Sequence, residues 1–132
     1  MPRGQRWPYP LGGTLRAEVF LDFVDPDGKA LSQRLLVDTG FEHTCIIKRK
    51  IAIAMNHGTA HNISLSNYPG PALGFVMNIR LQSVGFEGKF DCYSHPLVEA
   101  ILGAEFFDGL VGFRFLKDFI YGGDSVDFFL ER

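Results

Sequence analysis

The sequence has few residues of the kinds that cross-link a small chain. Its 132 residues include only two cysteines, Cys45 and Cys92, and no CxxC pair. Two cysteines cannot build the dense disulfide framework of a small secreted domain. We therefore expect Cys45 and Cys92 to be small buried thiols in a protein of a reducing compartment, the cytoplasm by default.

Long apolar runs and an excess of charge are also missing. No stretch approaches the ~20 apolar residues that span a bilayer, and the charged, proline-containing N-terminus lacks the apolar segment of a secretory signal. The formal net charge is −2 at pH 7, and the one basic run is Lys48-Arg49-Lys50. We expect a soluble protein that has neither nucleic acid nor a membrane as its partner.

Metal and nucleotide chemistry receive little support from the sequence. Three pairs of histidine or cysteine stand two to four residues apart: His43 and Cys45, His57 and His61, Cys92 and His95. These spacings alone are weak evidence for a metal site, because no CxxC pair accompanies them. No glycine-rich loop follows a strand as phosphate binding requires. We expect no metal and no organic cofactor.

Apolar and turn-forming residues are abundant instead. Hydrophobic residues make up 46% of the chain, which has thirteen Phe, 15 Gly and seven Pro. This composition excludes a disordered chain and favours a turn-rich β fold over a helical bundle. We interpret residues 1–13 as an irregular N-terminal arm and residues 14–132 as one domain with its own core.

Alternation of apolar and polar residues predicts most of the strands. The clearest pair covers 14–23 and 31–37, and the turn Asp25-Pro26-Asp27-Gly28 joins its two members. A meander is predicted over 63–93, with a long exposed turn at 66–71. The other predictions are a strand over 44–47, a helix over 47–57, one or two helical turns over 104–109, and a hairpin made by 113–121 and 126–130.

The strongest chemical signal is the tripeptide Asp38-Thr39-Gly40, which follows the apolar run Leu35-Leu36-Val37. A strand of this kind buries the approach to its end, where the Asp38 carboxyl group is then presented. Gly40 has no Cβ, so its backbone N–H can approach the carboxylate closely. On its own the tripeptide is also an ordinary strand-end turn, since Asp, Thr and Gly are common turn residues.

Further elements give the tripeptide a context. The segment 38–44 resembles the catalytic loop of the retropepsin-like aspartic peptidases, single-domain members of the aspartic peptidases. The helix predicted over 47–57 is similar to one that many non-viral members have there, and the 66–71 turn lies where the family has its flap. Ile101-Leu102-Gly103 resembles the hydrophobic-hydrophobic-Gly element that supports the catalytic loop from below. The resemblance extends over 14–132.

The resemblance implies an all-β fold, a small closed barrel with one or two short helices that forms a symmetric homodimer. It implies an aspartic endopeptidase that hydrolyses peptide bonds in peptides or proteins. The chain has one Asp-Thr-Gly, so Asp38 of each subunit would contribute to a shared catalytic dyad. Thr39 would brace the two loops, and Gly40 would supply backbone N–H contacts.

The resemblance also points to substrate-binding residues, namely Phe41, Tyr68 and Gly70. Two departures from the family pattern favour an alternative. Phe41 stands where the family usually has Ala or Ser, and Pro69 and Pro71 make the turn around Gly70 stiffer than a glycine-rich flap. The alternative is a non-catalytic module that binds a peptide or protein with the same fold.

The C-terminal residues carry an expectation about the dimer. Phe128 and Phe129 point to opposite faces of a strand, so one ring is available to a partner. Terminal strands often interleave between the subunits of the family that this chain resembles. The competing interpretation is that both rings are buried within one chain.

Overall fold

The structure is a computed structural model that describes residues 4–10, 16–65, 68–104 and 107–132. The described residues form ten strands, three short helices and one turn of 3-10 helix, with 50% of these residues in strands. In chain order the elements are β1 (Gly4–Pro8), β2 (Glu18–Val24), β3 (Ala30–Val37), β4 (Cys45–Ile47), α1 (Arg49–Met55), β5 (His61–Ser64), β6 (Pro71–Leu81), the 3-10 turn (Gln82–Val84), β7 (Phe86–Ser94), α2 (Pro96–Ala104), β8 (Gly109–Val111), α3 (Phe113–Leu116), β9 (Ile120–Gly123) and β10 (Asp127–Glu131).

Six of the strands close into a barrel. Their order is β2-β3-β8-β4-β7-β6, and β6 pairs back with β2 to complete the circle. Strand β5 pairs with β6 outside that circle. Closure removes the exposed edges that an open sheet would present. The predicted all-β fold with a closed barrel is confirmed.

The strands follow the predicted alternation closely. Val19, Leu21 and Phe23 of β2 are buried, and the apolar residues of β6 alternate in the same way. The turn between β2 and β3 is the predicted one, because Gly28 adopts a φ of 89°, in the left-handed region that favours glycine. The Asp25 carboxylate accepts the backbone N–H groups of two residues of this turn.

Two hydrophobic cores result from this arrangement. The main core fills the barrel, and the second core lies against the opposite face of β4, β7 and β6. Cys45 and Ile47 of β4 face the main core, whereas Ile46 between them faces the second core. The buried members of the second core are Phe41, Ile46, Leu65, Ala72, Tyr93, Val98, Leu102, Phe107 and Leu110.

The two cysteines form a disulfide, so the expectation of two thiols is wrong. Cys45 on β4 and Cys92 on β7 are register partners on neighbouring parallel strands, with their Cα atoms 5.0 Å apart. This spacing lies within the ordinary range for a disulfide. The two residues are 47 positions apart in the chain, and only the pairing of β4 with β7 brings them together.

The N-terminal segment is part of the fold rather than an irregular arm. Strand β1 pairs with β10, and β10 pairs on its other side with β9, which makes a separate three-stranded sheet. Trp7 of β1 is only 7% exposed and belongs to the main core. The expectation of an irregular arm over 1–13 therefore fails for Gly4–Pro8, while 1–3 and 11–13 lie outside the described residues.

The C-terminal strand is satisfied within its own chain. Because β10 has β1 on one side and β9 on the other, it has no free edge for a strand of a second subunit. Phe128 is buried in the main core, and Phe129 lies on the other face, where the Arg6 guanidinium stands 5.1 Å from its ring centre. Neither ring is left as a bare apolar surface.

Helix α2 was not predicted from the sequence. It contains the apolar stretch 98–102, in which Val98 and Leu102 stand four residues apart and are both buried. Helical turns predicted over 104–109 fall partly on residues 105 and 106, outside the described residues, and β8 already begins at Gly109. The strand predicted over 113–121 begins instead as helix α3, and only its end belongs to β9.

Trp7 provides a test of the role of β1. We expect Trp7→Ala to lower the free energy of unfolding by about 3–5 kcal/mol, because it leaves a cavity in the main core. Urea denaturation followed by circular dichroism measures the change. Arg6→Ala on the same strand is the matched control, since it removes exposed contacts worth less than about 1 kcal/mol. Equal small losses in both variants would contradict the assignment of β1 to the core.

Candidate functional site

The Asp38 loop occupies a constrained position in the barrel. It runs from the end of β3 to the start of β4, and β8 lies between these two strands in the sheet. Strand β8 runs parallel to β3 and antiparallel to β4. The loop 38–44 must therefore cross over the end of β8, and its conformation is tied to that strand.

Backbone hydrogen bonds hold the loop to the residues at the end of β8. The Asp38 N–H donates to the Val111 carbonyl over 2.9 Å. The Gly112 N–H donates to the Thr44 carbonyl and the Phe113 N–H to the Phe41 carbonyl, both over 2.8 Å. Both ends and the middle of the loop are thereby fixed.

Gly112 is required by this close approach. A Cβ atom added there would collide with the carbonyl oxygens of His43 and Phe41. Both oxygens belong to the 38–44 loop, so any side chain at this position would push the loop away from β8. The glycine that follows β8 is therefore part of the support of the site.

The supporting apolar-apolar-Gly element differs from the one that the sequence suggested. Leu110-Val111-Gly112 contacts the loop, whereas Ile101-Leu102-Gly103 lies in helix α2. Ile101 is 57% exposed, and Leu102 is buried in the second core, which also contains Phe41. Leu110-Val111-Gly112 thus takes the place beneath the loop that the sequence suggested for Ile101, Leu102 and Gly103. The spacing of Val98 and Leu102 is typical of a helix, and this feature of the sequence distinguishes the second segment from the first.

The Asp38 carboxylate is oriented by its own loop. The carboxylate Oδ1 accepts a hydrogen bond from the Gly40 N–H over 3.0 Å. The backbone carbonyl of Asp38 accepts one from the Phe41 N–H over 3.2 Å. The Asp38 residue is half-buried, and Thr39 and Gly40 are exposed. The loop therefore presents a hydrogen-bonded carboxylate at the surface with its exposed tip beside it.

Phe41 and Tyr68 lie together next to this loop. Their rings meet edge to face with centroids 5.8 Å apart. Phe41 is 3% exposed and belongs to the second core, so its ring is buried beneath Tyr68. Burial, and next to it the negative charge of Asp38, raises the pKa of the Tyr68 phenol. The structure thus brings three sequence-predicted residues together: Asp38, Phe41 and Tyr68.

Gly70 ends the turn that carries Tyr68. It is exposed and has a φ of 81°, so the turn requires a residue that tolerates the left-handed region. Strand β6 begins directly after it at Pro71. We call residues Tyr68, Pro69 and Gly70 the 68–70 turn; positions 66 and 67 of the longer turn predicted from the sequence lie outside the described residues.

Three aromatic residues beside the site were not predicted. The His43 ring lies 5.3 Å from Phe41 and 5.2 Å from Tyr93 between centroids. Neither His43 ring nitrogen has a hydrogen-bond partner within the described residues, and the Glu42 carboxylate is 3.6 Å from Nε2. His95 is buried beside the 68–70 turn. His43 falls within the predicted 38–44 loop, but the sequence suggested it and His95 individually only as weak candidates for metal ligands, and no local pattern indicates that His95 lies beside the site.

A groove of about 420 Å³ adjoins the 68–70 turn, since its lining includes Pro71 directly after the turn, and Pro96 directly after His95. Arg49, Leu73, Ser94 and Glu99 are among the residues that line it, and no residue of the 38–44 loop does. Within the described residues, no three His, Cys, Asp or Glu side chains gather in a way that would hold a metal ion. No described helix combines the length and hydrophobicity needed to cross a membrane.

Comparison with known proteins leaves the site to be interpreted on its own geometry. No family model, no curated protein and no solved structure matches this chain.

Phe41 offers a test of how the site is built. We expect Phe41→Ala to lower the free energy of unfolding by about 3–5 kcal/mol, because the ring is buried between Tyr68 and the second core. Phe20→Ala is the control, since Phe20 is 44% exposed on β2 and should cost less than about 1 kcal/mol. Urea denaturation of both variants measures the difference. A Phe41→Ala protein as stable as the control would mean that the ring does not anchor the loop.

Proposed function

We propose that this protein is a retropepsin-like aspartic endopeptidase whose catalytic residue is Asp38. One observation carries the proposal. The Asp38 carboxylate sits on a loop that three backbone hydrogen bonds fix to the end of β8. The 68–70 turn lies close enough that the negative charge of Asp38 contributes to the raised pKa of Tyr68. A fixed carboxylate beneath a second structural element is a suitable arrangement for acting on a bound peptide.

The proposed chemistry requires a second carboxyl group. Peptide hydrolysis of this type uses two carboxyl groups that share one proton, because like charges about 3 Å apart cannot both ionise. The chain has one Asp-Thr-Gly, so we propose that a homodimer supplies Asp38 twice across a two-fold axis. The exposed loop tip with Thr39 and Gly40 is then the part of each subunit that meets its counterpart.

The two aspartates have complementary roles in this mechanism. The ionised Asp38 takes a proton from a bound water molecule as the water oxygen attacks the scissile carbonyl carbon. The protonated Asp38 of the partner subunit donates its proton to the carbonyl oxygen, which gives a neutral tetrahedral intermediate. Proton transfer to the amide nitrogen then allows the C–N bond to break and releases the two peptide products.

Other residues of the site would position the reacting groups. The Gly40 N–H donates to Asp38 Oδ1 and so fixes the direction of the carboxylate. The Tyr68 phenol is protonated at neutral pH, as tyrosine ordinarily is, and burial raises its pKa further, so the phenol can donate a hydrogen bond to a peptide carbonyl. Phe41 supports Tyr68 from below, and Gly70 gives the turn its shape.

One observation favours a second candidate, a non-catalytic module that binds a peptide or protein. The buried Phe41 ring and the Tyr68 ring above it fill the space on one side of the Asp38 loop. Rings that fill this space leave less room for a scissile bond beside Asp38, which favours binding without turnover. The two candidates differ in whether bound peptide is cleaved.

Asp38→Asn tests the proposed function. We expect wild-type protein to cleave members of a broad peptide library between acidic and neutral pH. Asp38→Asn should lower the rate by at least about 100-fold, because the amide cannot take or give the proton. Circular dichroism and the urea midpoint verify that the variant folds.

The outcomes separate the candidates. Cleavage that survives undiminished in pure Asp38→Asn protein would end the proposal. Tight peptide binding by the wild type without cleavage, at any pH tested, would replace it with the binding module. Thr39→Ser serves as the matched variant in the same loop, because it keeps the hydroxyl group and should retain cleavage.

A further inference from the structure

His95 lies where strand β7 passes into helix α2, and it is 2% exposed. Its Nδ1 lies 3.2 Å from the Leu97 backbone nitrogen, in the first turn of α2. Its Nε2 lies 2.7 Å from the Pro69 carbonyl oxygen, 26 residues away in the chain. Both ring nitrogens of this buried histidine therefore have backbone partners, on two different elements.

These two contacts define the protonation of the ring. A backbone N–H can only donate, so Nδ1 must accept and carries no hydrogen. A carbonyl oxygen can only accept, so Nε2 must carry the hydrogen and donate it. The ring is thus neutral and in one tautomer. A doubly protonated imidazole would lose the contact with Leu97, because it has no acceptor nitrogen.

The contact with Pro69 connects His95 to the candidate site. The Tyr68 ring centroid lies 5.8 Å from that of the His95 ring and 5.8 Å from that of the Phe41 ring. Phe41 belongs to the loop that carries Asp38. A continuous line of contacts therefore runs from α2 through His95 and the 68–70 turn to the Asp38 loop.

We infer that His95 is a positioning residue that holds the 68–70 turn against the Asp38 loop. Capping of α2 does not by itself account for a histidine here, because Asn, Asp and Ser are better N-caps and need no second nitrogen. The shorter of the two contacts is the long-range one to Pro69. Within the turn, the Tyr68 N–H donates to the Leu65 carbonyl over 3.2 Å, and Pro69 has no N–H to donate.

The functional meaning of this contact rests on the proposed peptidase function. If Asp38 is the reacting centre, the 68–70 turn forms part of the surroundings of a peptide bound there. The His95 to Pro69 hydrogen bond then fixes the position of the turn relative to that peptide. The contact itself is a structural claim that can be tested without any measurement of cleavage.

Two substitutions separate the two contacts of the ring. His95→Asn places a polar oxygen near the position of Nδ1, so it keeps the cap on Leu97, but its side chain is too short to reach Pro69. His95→Gln places an amide nitrogen near the position of Nε2, so it keeps a donor for the Pro69 carbonyl but caps α2 poorly. Each variant is therefore the control for the other.

Two measurements report on the turn. Hydrogen exchange monitors the Tyr68 amide, and carbon-13 NMR of ring-labelled tyrosine follows the titration of the Tyr68 phenol, assigned with Tyr68→Phe. In His95→Asn we expect exchange at Tyr68 to accelerate by about tenfold, which corresponds to the loss of one net hydrogen bond. The Tyr68 pKa should fall towards its ordinary value as the ring leaves its buried position. In His95→Gln the turn should stay protected while the first turn of α2 exchanges faster.

Unchanged exchange and an unchanged Tyr68 titration in a folded His95→Asn protein would overturn the inference. Equal loosening of the turn by both variants would also overturn it, since the loss would then not depend on the donor at Nε2.

Should either variant fail to fold, the long-range proton–nitrogen spectrum of wild-type His95 decides the question. A neutral ring with its hydrogen on Nε2 is expected, and a ring protonated on Nδ1 contradicts the contact. A wild-type protein that lacks cleavage would end the proposed function and leave this test intact.

Discussion

The insertion of β8 between β3 and β4 is the constraint on which the rest of the site depends. Two strands that follow each other in the chain are separated in the sheet by a third, so the loop that joins them must pass over its end. The backbone hydrogen bonds around Val111 and Gly112 then fix that loop. This topology sets the position of Asp38, because the hydrogen bonds hold the backbone of its loop at the end of β8.

The second core transmits this constraint to the rest of the site. Phe41 is anchored in it, Tyr68 packs on Phe41, and α2 closes it from outside. The disulfide between Cys45 and Cys92 ties two strands together on their main-core side. It joins β4, which follows the Asp38 loop, to β7, which ends directly before His95. The Asp38 loop and His95 are therefore attached to the same pair of strands.

Local patterns in the sequence predicted the parts of the fold that local forces determine. Alternation predicted β2, β3 and β6, and the turn at 25–28 was predicted from residues that suit it physically. The all-β barrel and the grouping of Asp38 with Phe41 and Tyr68 also followed from such patterns together with the resemblance to a family.

Most of the predictions that failed concern contacts between residues far apart in the chain; the strand predicted over 113–121, which begins as helix α3, is a local exception. The pairing of β1 with β10 joins segments that lie more than 100 residues apart in the sequence, and no pattern within Gly4–Pro8 indicates it. The disulfide depends on the register of β4 with β7. Two apolar-apolar-Gly segments could lie beneath the Asp38 loop, and the hydrogen bonds of the fold assign Leu110-Val111-Gly112 to this place. His95 was missed because its partner Pro69 is distant in sequence.

The central claim is that one catalytic site needs Asp38 from two chains, and mixed dimers test it directly. Wild-type and Asp38→Asn protein are combined at constant total concentration and incubated until subunits have exchanged. If only dimers with two aspartates cleave peptide, random pairing makes activity follow the square of the wild-type fraction, so an equal mixture retains about one quarter. An equal mixture that retains about one half would mean that each chain acts alone, and the shared dyad would be wrong.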